Sequence, residues 1–305
     1  MRVSTSGNYQ SALLDLMGSQ LRSQEAQRRV STQKQATDLV GFGRSSETLT
    51  ALKSAQSRIA GFIDTGEAVA ARLSGQNLAM GRIADGAGGA REAIAGALAS
   101  GRLDGLMLEL QGQFQIAQDG LNARHQGRHL FAGGASAEAP VTVQTLAELA
   151  ALADSDDAFV NDQLRQVSRL DEGTTVETGF LADEIGGDLL RIFRDLQLQH
   201  QATPLTGTLT DATRDFLTAR LAELDAAREG ITNLAARNGS MQNRVDGILK
   251  AQTDQSTALE ALVSERTDAD LAQALTDLEL SQIAMQASAQ VINQLRQVSL
   301  LNYLS

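Results

Sequence analysis

The chain has 305 residues, with 37 acidic and 26 basic side chains, a net charge of −11, and neither Cys nor Trp. That balance excludes the basic footprint of a nucleic-acid binder. The lack of Cys excludes a disulfide framework and any thiolate metal site. Aromatics are only 3% of the chain and Pro occurs twice, so with Ala, Leu, Gln and Arg abundant the composition favours helix over strand. No run of about 18 apolar residues reads as a membrane span. The start, MRVSTSGNYQ, lacks the apolar core of a secretory signal. The expectation is a protein that stays in the cytosol or leaves the cell without a cleavable signal.

Residues 8–35 open on a helical stripe, Gln10, Leu13, Leu14, Met17 and Leu21, which fades into SQEAQRRVSTQKQ. So little apolar surface does not support a helix on its own. DLVGFGRSSE follows at 38–47. Its glycines suit a connector, Ser45 or Ser46 can cap the next helix, and no strand or GK[ST] accompanies the GxG spacing to make a phosphate loop. A seven-residue repeat then runs from Leu52 to Leu98. One seam position reads Leu52, Ile59, Gly66, Leu73, Met80, Ala87, Ile94, and its companion Ala55, Phe62, Val69, Gln76, Ile83, Ala90, Ala97. Such a repeat brings one seam round to face a partner helix. Seven heptads span roughly 70 Å. A shorter helix is predicted from about Leu103 to Arg124.

Gly133, Gly134 and Pro140 mark the exit from the helical part. Residues 136–200 carry 13 acids against four arginines, a net of −9. This acidic insert is predicted to hold helices over TLAELAALA and EIGGDLLRIFRDLQL, with strands in LRQVSRL and TTVETGFL joined at DEGT. A second long helix starts near Asp211 with seams Leu217, Leu224, Ile231, Asn238, Val245, Gln252, Leu259 and Arg220, Ala227, Leu234, Met241, Ile248, Gln255, Leu262. Asn238 and Gln252 occupy apolar positions, where a polar residue costs stability and can fix register. SERTDAD (264–270) closes this helix, with Thr267 or Asp268 as the expected cap of the last one. The last helix carries two stripes. One is Leu271, Leu275, Leu278, Met285, Ile292 and Leu295; the other is Leu280, Ile283, Ala287, Val291 and Val298. Two stripes on one helix ask for two neighbours, and the thin N-terminal helix covers only one. The final eight residues, with Val298, Leu300, Leu301, Tyr303 and Leu304, are apolar where chain ends are usually polar.

The catalytic motifs sought are missing: there is no GxSxG and no HExxH. His125 and His129 have the spacing of metal ligands on a helix, but no third ligand is near and Gly127 intervenes at a helix end, so a polar junction is expected. Asp154, Asp156 and Asp157 lack the Gly and Glu of a calcium loop and read as a solvated loop. Asp183 and Glu184 form the best acid–base pair available to an enzyme in the insert, but neighbouring helix residues diverge.

MRVSTSGNYQ, GRHLFAGG (127–134) and TDADLAQALTDLELSQIAMQASAQVINQLRQVSLLNYLS together resemble the bacterial flagellin superfamily, and within it the hook–filament junction proteins (hook-associated protein 3). The resemblance covers about the first 135 and last 95 residues; His129 stands where an aromatic residue is usual. It implies a mainly α fold, an elongated rod of long antiparallel helices with a small inserted α+β domain. Residues 1–46 with 265–305 would form a terminal inner-layer domain, 47–135 with 208–264 the rod, and 136–207 an outward-facing insert. It further implies a non-enzymatic ring subunit between hook and filament, without cofactor or metal. The partners would be hook-associated protein 1, flagellin, further copies of the chain and an export chaperone on the C-terminal segment. The location would be the extracellular flagellum, reached from the cytoplasm by type III export. The assembly surface is expected on Leu13, Leu16, Met17, Leu278, Met285, Ile292, Leu295, Val298, Leu300, Leu301, Tyr303 and Leu304. Competing readings are a bulk flagellin and, from another class, a cytosolic coiled-coil adaptor or secretion chaperone.

Overall fold

The computed structural model describes residues 2–304 of the backbone and the side-chain surroundings of residues 7–296. In chain order it has helix α1 (Arg2–Thr32), a 3-10 segment (Val40–Ser45), α2 (Ser46–Ser100), α3 (Leu106–Leu121), strands β1 (Arg124–His125) and β2 (Arg128–His129), α4 (Leu146–Ala151), β3 (Val167–Arg169), β4 (Thr175–Glu177), α5 (Ala182–Ala202), α6 (Asp211–Thr267) and α7 (Leu271–Leu304). The fold is mainly α, with long antiparallel helices and, among the described residues, two small antiparallel sheets. It divides into two compact units, one of residues 1–58 and 255–305, the other of residues 59–254.

In the unit of residues 59–254, α2 and α6 pair antiparallel. Asn238 Nδ2 donates to the Leu73 carbonyl oxygen at 2.8 Å, and Arg91 meets Asp225 at 2.5 Å. The heptad seams go inward: Ile59, Val69, Leu73, Gln76, Met80, Ile83, Ala87, Ala90, Ile94 and Ala97 on α2 are buried, as are Leu217, Leu224, Ala227, Ile231 and Val245 on α6. The polar seam residues reach backbone carbonyls. Besides Asn238, Gln76 donates to Thr178 O at 3.1 Å and Gln252 to Leu170 O.

One continuous core joins α2, α3, α5 and α6 with the acidic insert, through Phe114, Phe131, Val141, Leu146, Phe180, Leu189, Phe193 and Leu196. Phe114 and Phe193 meet edge to face, centroids 5.6 Å apart. α3 crosses α2 where glycines remove the side chains, at Gly86 and Gly89 on one helix and Gly120 on the other. Thr145 caps α4 through the Glu148 amide at 3.2 Å, while Glu148 reaches back to the Gln144 amide at 2.7 Å. This is the reciprocal bonding expected at a helix start. β3 and β4 pair as the DEGT turn suggests, Ser168 opposite Val176.

The segment 124–133 departs from the helix end expected there. Arg124–His129 is a hairpin with register Arg124↔His129 and His125↔Arg128, turned by Gln126 (φ 50°) and Gly127 (φ 79°). Two left-handed residues in succession match the twist of paired strands, the geometry that short hairpin loops prefer. His125 and His129 therefore sit on opposing strands, not one helical turn apart. His129 is buried; its Nδ1 bonds the Asn122 carbonyl at 2.8 Å and its Nε2 accepts from Arg124 Nε at 2.9 Å. Burial, with the Arg124 charge beside it, holds its pKa below the usual histidine value against the opposing Asn122 bond. The chain then buries Leu130, Phe131 and Ala132 and turns at Gly133 (φ 63°), where a Cβ would strike the Asp162 carbonyl oxygen. GRHLFAGG is thus a turn, an apolar plug and a second turn.

Candidate assembly surface

In the unit of residues 1–58 and 255–305, α1 and α7 lie against one another. Arg29 faces Asp277 at 3.9 Å, near the end of one helix and the start of the other, so the pair is antiparallel. The seam on α7 is Ala274, Leu278, Ser281, Met285, Ser288, Ile292 and Leu295, all buried or half-buried. Their spacing alternates four and three, the heptad rule. Opposite, α1 contributes Ala12, Leu16, Ser19, Ser23, Ala26 and Val30 at the same alternation. Ser19 is 2% exposed. The buried hydroxyls are served locally: Arg22 donates to Ser19 at 3.1 Å, and Ser281 donates to the Leu278 carbonyl at 2.8 Å.

This seam differs from the α1 stripe that stands out in the sequence. Leu13, Leu14, Met17 and Leu21 all point away from α7, Leu21 at 66% exposure. α1 packs mostly with small residues, Leu16 and Val30 apart, and turns Leu13, Leu14, Met17 and Leu21 outward. On α7, Leu278, Met285, Ile292 and Leu295 are half-covered, while Leu280, Ile283, Ala287 and Val291 form an exposed strip, Ile283 at 61%. Leu271 and Leu275 are exposed too. Val298, Leu300, Leu301, Tyr303 and Leu304 lie outside the residues whose side chains are described.

Backbone and side-chain bonds pin the base of this pair. The Gln35 amide donates to Thr267 O at 2.8 Å, and the Ala269 amide to Gln33 O at 3.0 Å, with Gln33 at φ 58°. Lys34 Nζ binds Asp268 and, at 3.3 Å, Thr267 Oγ1; Ser264 also donates to Asp268. These donors, Lys34 foremost, lower the Asp268 carboxyl to about 2. Thr267 and Asp268 are consequently spent on the clamp. The cap of α7 is Asp270, which accepts from the Ala272 and Gln273 amides at 2.9 and 3.1 Å. At Gly43 the connector takes φ 51°, and the Gly41 amide donates to Asp38 at 2.8 Å.

The acids singled out in the insert are engaged in holding loops. Asp183 accepts from Asn161 at 3.1 Å and Gln163 at 2.7 Å, and Glu184 pairs with Arg165 at 3.0 Å. Asp154 accepts from Ser155 and the Asp156 amide, which holds its pKa below the usual carboxylate value. Among the described residues no cluster of His, Asp and Glu has the makings of a metal site, and no helix is long and apolar enough to cross a membrane.

The terminal helix pair thus has one seam closed and two apolar strips open. Residues 221–304 match the bacterial flagellin C-terminal helical region, so over this stretch the resemblance to the flagellin superfamily is borne out. A protein assigned as a flagellar hook-associated protein from Vibrio parahaemolyticus shares the fold with a TM-score of 0.60 at 17% identity, over 73% of this chain and 97% of that one. FlgL of Bacillus cereus does so with a TM-score of 0.55 at 15% identity, over 70% of this chain and 98% of that one. At such identities the likeness is one of fold. No curated protein sequence matches the chain. The matched C-terminal region and the shared fold together support a structural protein of the bacterial flagellum.

Proposed function

We propose that the chain is a structural subunit joining the flagellar hook to the filament, which assembles as a ring through its terminal helices and carries out no catalysis. The observation that carries this is the distribution of apolar residues on α1 and α7. Leu14, Met17 and Leu21 on one helix and Leu280, Ile283 and Val291 on the other stay uncovered within the chain. Fully burying a side chain of this size is worth about 1.5–3 kcal/mol before ordering costs, and association must first offset lost translational and rotational freedom. Six such residues, with the apolar C-terminal residues beyond them, are enough to bind a neighbouring copy. In this reading residues 1–46 with 265–305 form the inner layer, 47–135 with 208–264 the rod, and 136–207 the outward insert. Hook-associated protein 1 lies on one side, flagellin on the other, and an export chaperone covers the C-terminal segment before secretion.

Deleting residues 296–305 tests the reading. The truncated chain is expected to be helical and soluble yet unable to support filament growth, whereas filaments built on it would refute the role of the tail. Immunogold labelling of isolated flagella separates a junction subunit, seen as one band at the distal edge of the hook, from a bulk flagellin, which decorates the whole filament.

A further inference from the structure

A cleft of about 650 Å³ opens in the unit of residues 59–254 between α2, the β1–β2 hairpin and the segment leading into α5. That volume suits a small organic molecule. Part of its wall is apolar, with Val69, Leu130 and Phe180, and no Asp or Glu lines it, although acids outnumber bases in the chain. Asp162, which adjoins Gly134 at the rim, already accepts from the Leu164 amide at 2.8 Å.

The charged or basic groups in this wall are Arg72, His125, Arg128 and His129, beside neutral residues such as Gln126, Gln166 and Ser168. Arg72 donates one nitrogen to the Thr178 carbonyl at 3.2 Å, while its Nη1 is shielded from water and has no partner. Some arginines of the unit have carboxylates, Arg91 with Asp225, Arg165 with Glu184 and Arg220 with Asp195, while others such as Arg194 bond backbone carbonyls. Arg72 has no carboxylate, and loss of solvation lowers its pKa to about 10. A half-buried charge without a counter-ion carries a desolvation cost that no partner offsets. His125 Nε2 is likewise buried and unpartnered, and Arg128, paired across the hairpin from His125, is exposed on the same cleft.

We infer that the cleft holds a carboxylate carried on an apolar body, with Arg72 as counter-ion, His125 as second donor and Arg128 at the entrance. Arg72 Nη1 and His125 Nε2 are the two unpartnered nitrogens among the cleft residues that such a carboxylate would engage, and Phe180 with Val69 and Leu130 takes the apolar part. Because both nitrogens are out of contact with water, side chains at the entrance shift as the ligand enters. The acid is either a free small molecule or a side chain on a peptide; both present the same group.

Titrating the full chain with benzoate and, separately, with acetyl-leucyl-aspartyl amide distinguishes the two sources, read by calorimetry and by the His125 ring resonances. Saturable binding of either probe is expected, weakened about ten-fold or more in Arg72→Met, the loss of one charge-assisted bond. Thr178 keeps its bond from Gln76 in that variant, so no carbonyl is orphaned. Arg128→Ala, at an exposed position, is expected to weaken binding as well and decides the matter should Arg72→Met fail to fold. Binding of neither probe at millimolar concentration, unchanged affinity in the variants, or tighter binding of inorganic phosphate than of both acids would overturn the assignment.

Discussion

Helix α2 carries glycines where a helix would gain from alanine, and the structure sorts them into two kinds. A Cβ at Gly86 would lie 2.8 Å from the Gln113 carbonyl oxygen and 2.9 Å from the Ala117 backbone nitrogen, both on α3. Backbone at that distance cannot rotate aside. At Gly81 and Gly96 nothing lies within 4 Å. Replacing either of these by Ala should therefore stabilise the fold by about 1 kcal/mol, the helix-propensity difference. Gly86→Ala gains the same term but forces the helices apart, and overpacking of this kind costs about 1–3 kcal/mol; with a backbone contact the upper part of that range applies, leaving a net loss of about 1–2 kcal/mol. Urea unfolding followed by far-ultraviolet circular dichroism resolves both signs. If Gly86→Ala proves as stable as Gly81→Ala, the close approach of α2 and α3 is not what Gly86 serves. Since no atom lies within 4 Å of a Cβ at Gly81 or Gly96, they are also the positions at which to test a further idea, that on the proposed export route helix glycines ease unfolding. A Gly81→Ala, Gly96→Ala double variant that is more stable yet exported and assembled normally would dismiss that idea.

Two further outcomes follow from the clamp and from the polar seam. The Asp268 carboxyl is held at about 2 instead of the ordinary 3.8. A depressed carboxyl stabilises the folded form above its unfolded pKa and loses that contribution as pH falls through the folded one, so the clamp should weaken between about pH 4 and about pH 2. Carboxyl-carbon NMR of the full chain should show Asp268 titrating well below the other aspartates and Lys34→Met moving it upward; a normal titration would mean that Lys34 and Ser264 do not hold it. In the α2–α6 seam, Asn238 donates to Leu73 O while its own oxygen is buried without a partner, and Leu73 O also accepts from Gln242 at 3.0 Å. Removing an orphaned acceptor offsets the lost bond, so Asn238→Leu should leave stability unchanged or raise it by about 1 kcal/mol. A loss of more than about 2 kcal/mol in the urea midpoint analysis would show the amide to be a net stabiliser.

Seams built of large residues were legible in the sequence, and seams built of small ones were not. Ile59, Leu73, Met80 and Ile94 repeat every seven or fourteen residues along one helix, and periodicity of that length averages over local noise. The same repeat on α1 is written mostly in small residues, Ala12, Ser19, Ser23 and Ala26, with only Leu16 and Val30 to give contrast, while Leu13, Met17 and Leu21 beside them stand out and point outward. The alternation of four and three through Ala12, Leu16, Ser19, Ser23, Ala26 and Val30 is the signal that could have shown the face turned to α7. The hairpin at 124–129 was missed because Gln-Gly is a weak version of the Asn-Gly turn signal. The α7 cap fell on Asp270 because Lys34, more than 230 residues away in sequence, had claimed Asp268. The cleft was invisible for the same reason: Arg72, His125 and Phe180 come together only through long-range packing.

The reversed amphipathicity of α1 bears directly on how the terminal pair works. A seam mostly of Ala and Ser, with Leu16 and Val30, against Leu278, Met285 and Ile292 removes less apolar area from water for each turn of helix than a seam of large residues would, so burial between α1 and α7 stabilises the pair modestly. Bonds at one end do the rest, through Gln33, Lys34 and Gln35 on one side and Thr267, Asp268 and Ala269 on the other. Such an arrangement fixes the direction in which the two helices leave their base while leaving several large side chains uncovered within the chain. Had Leu14, Met17 and Leu21 faced α7, the pair would be self-sufficient and would have little to offer a neighbour. Replacing Leu14 and Leu21 together by Ser, both exposed within the chain, should thus leave the helix pair formed by far-ultraviolet circular dichroism while weakening the proposed association between copies; association unchanged in sedimentation would refute the role given to these strips.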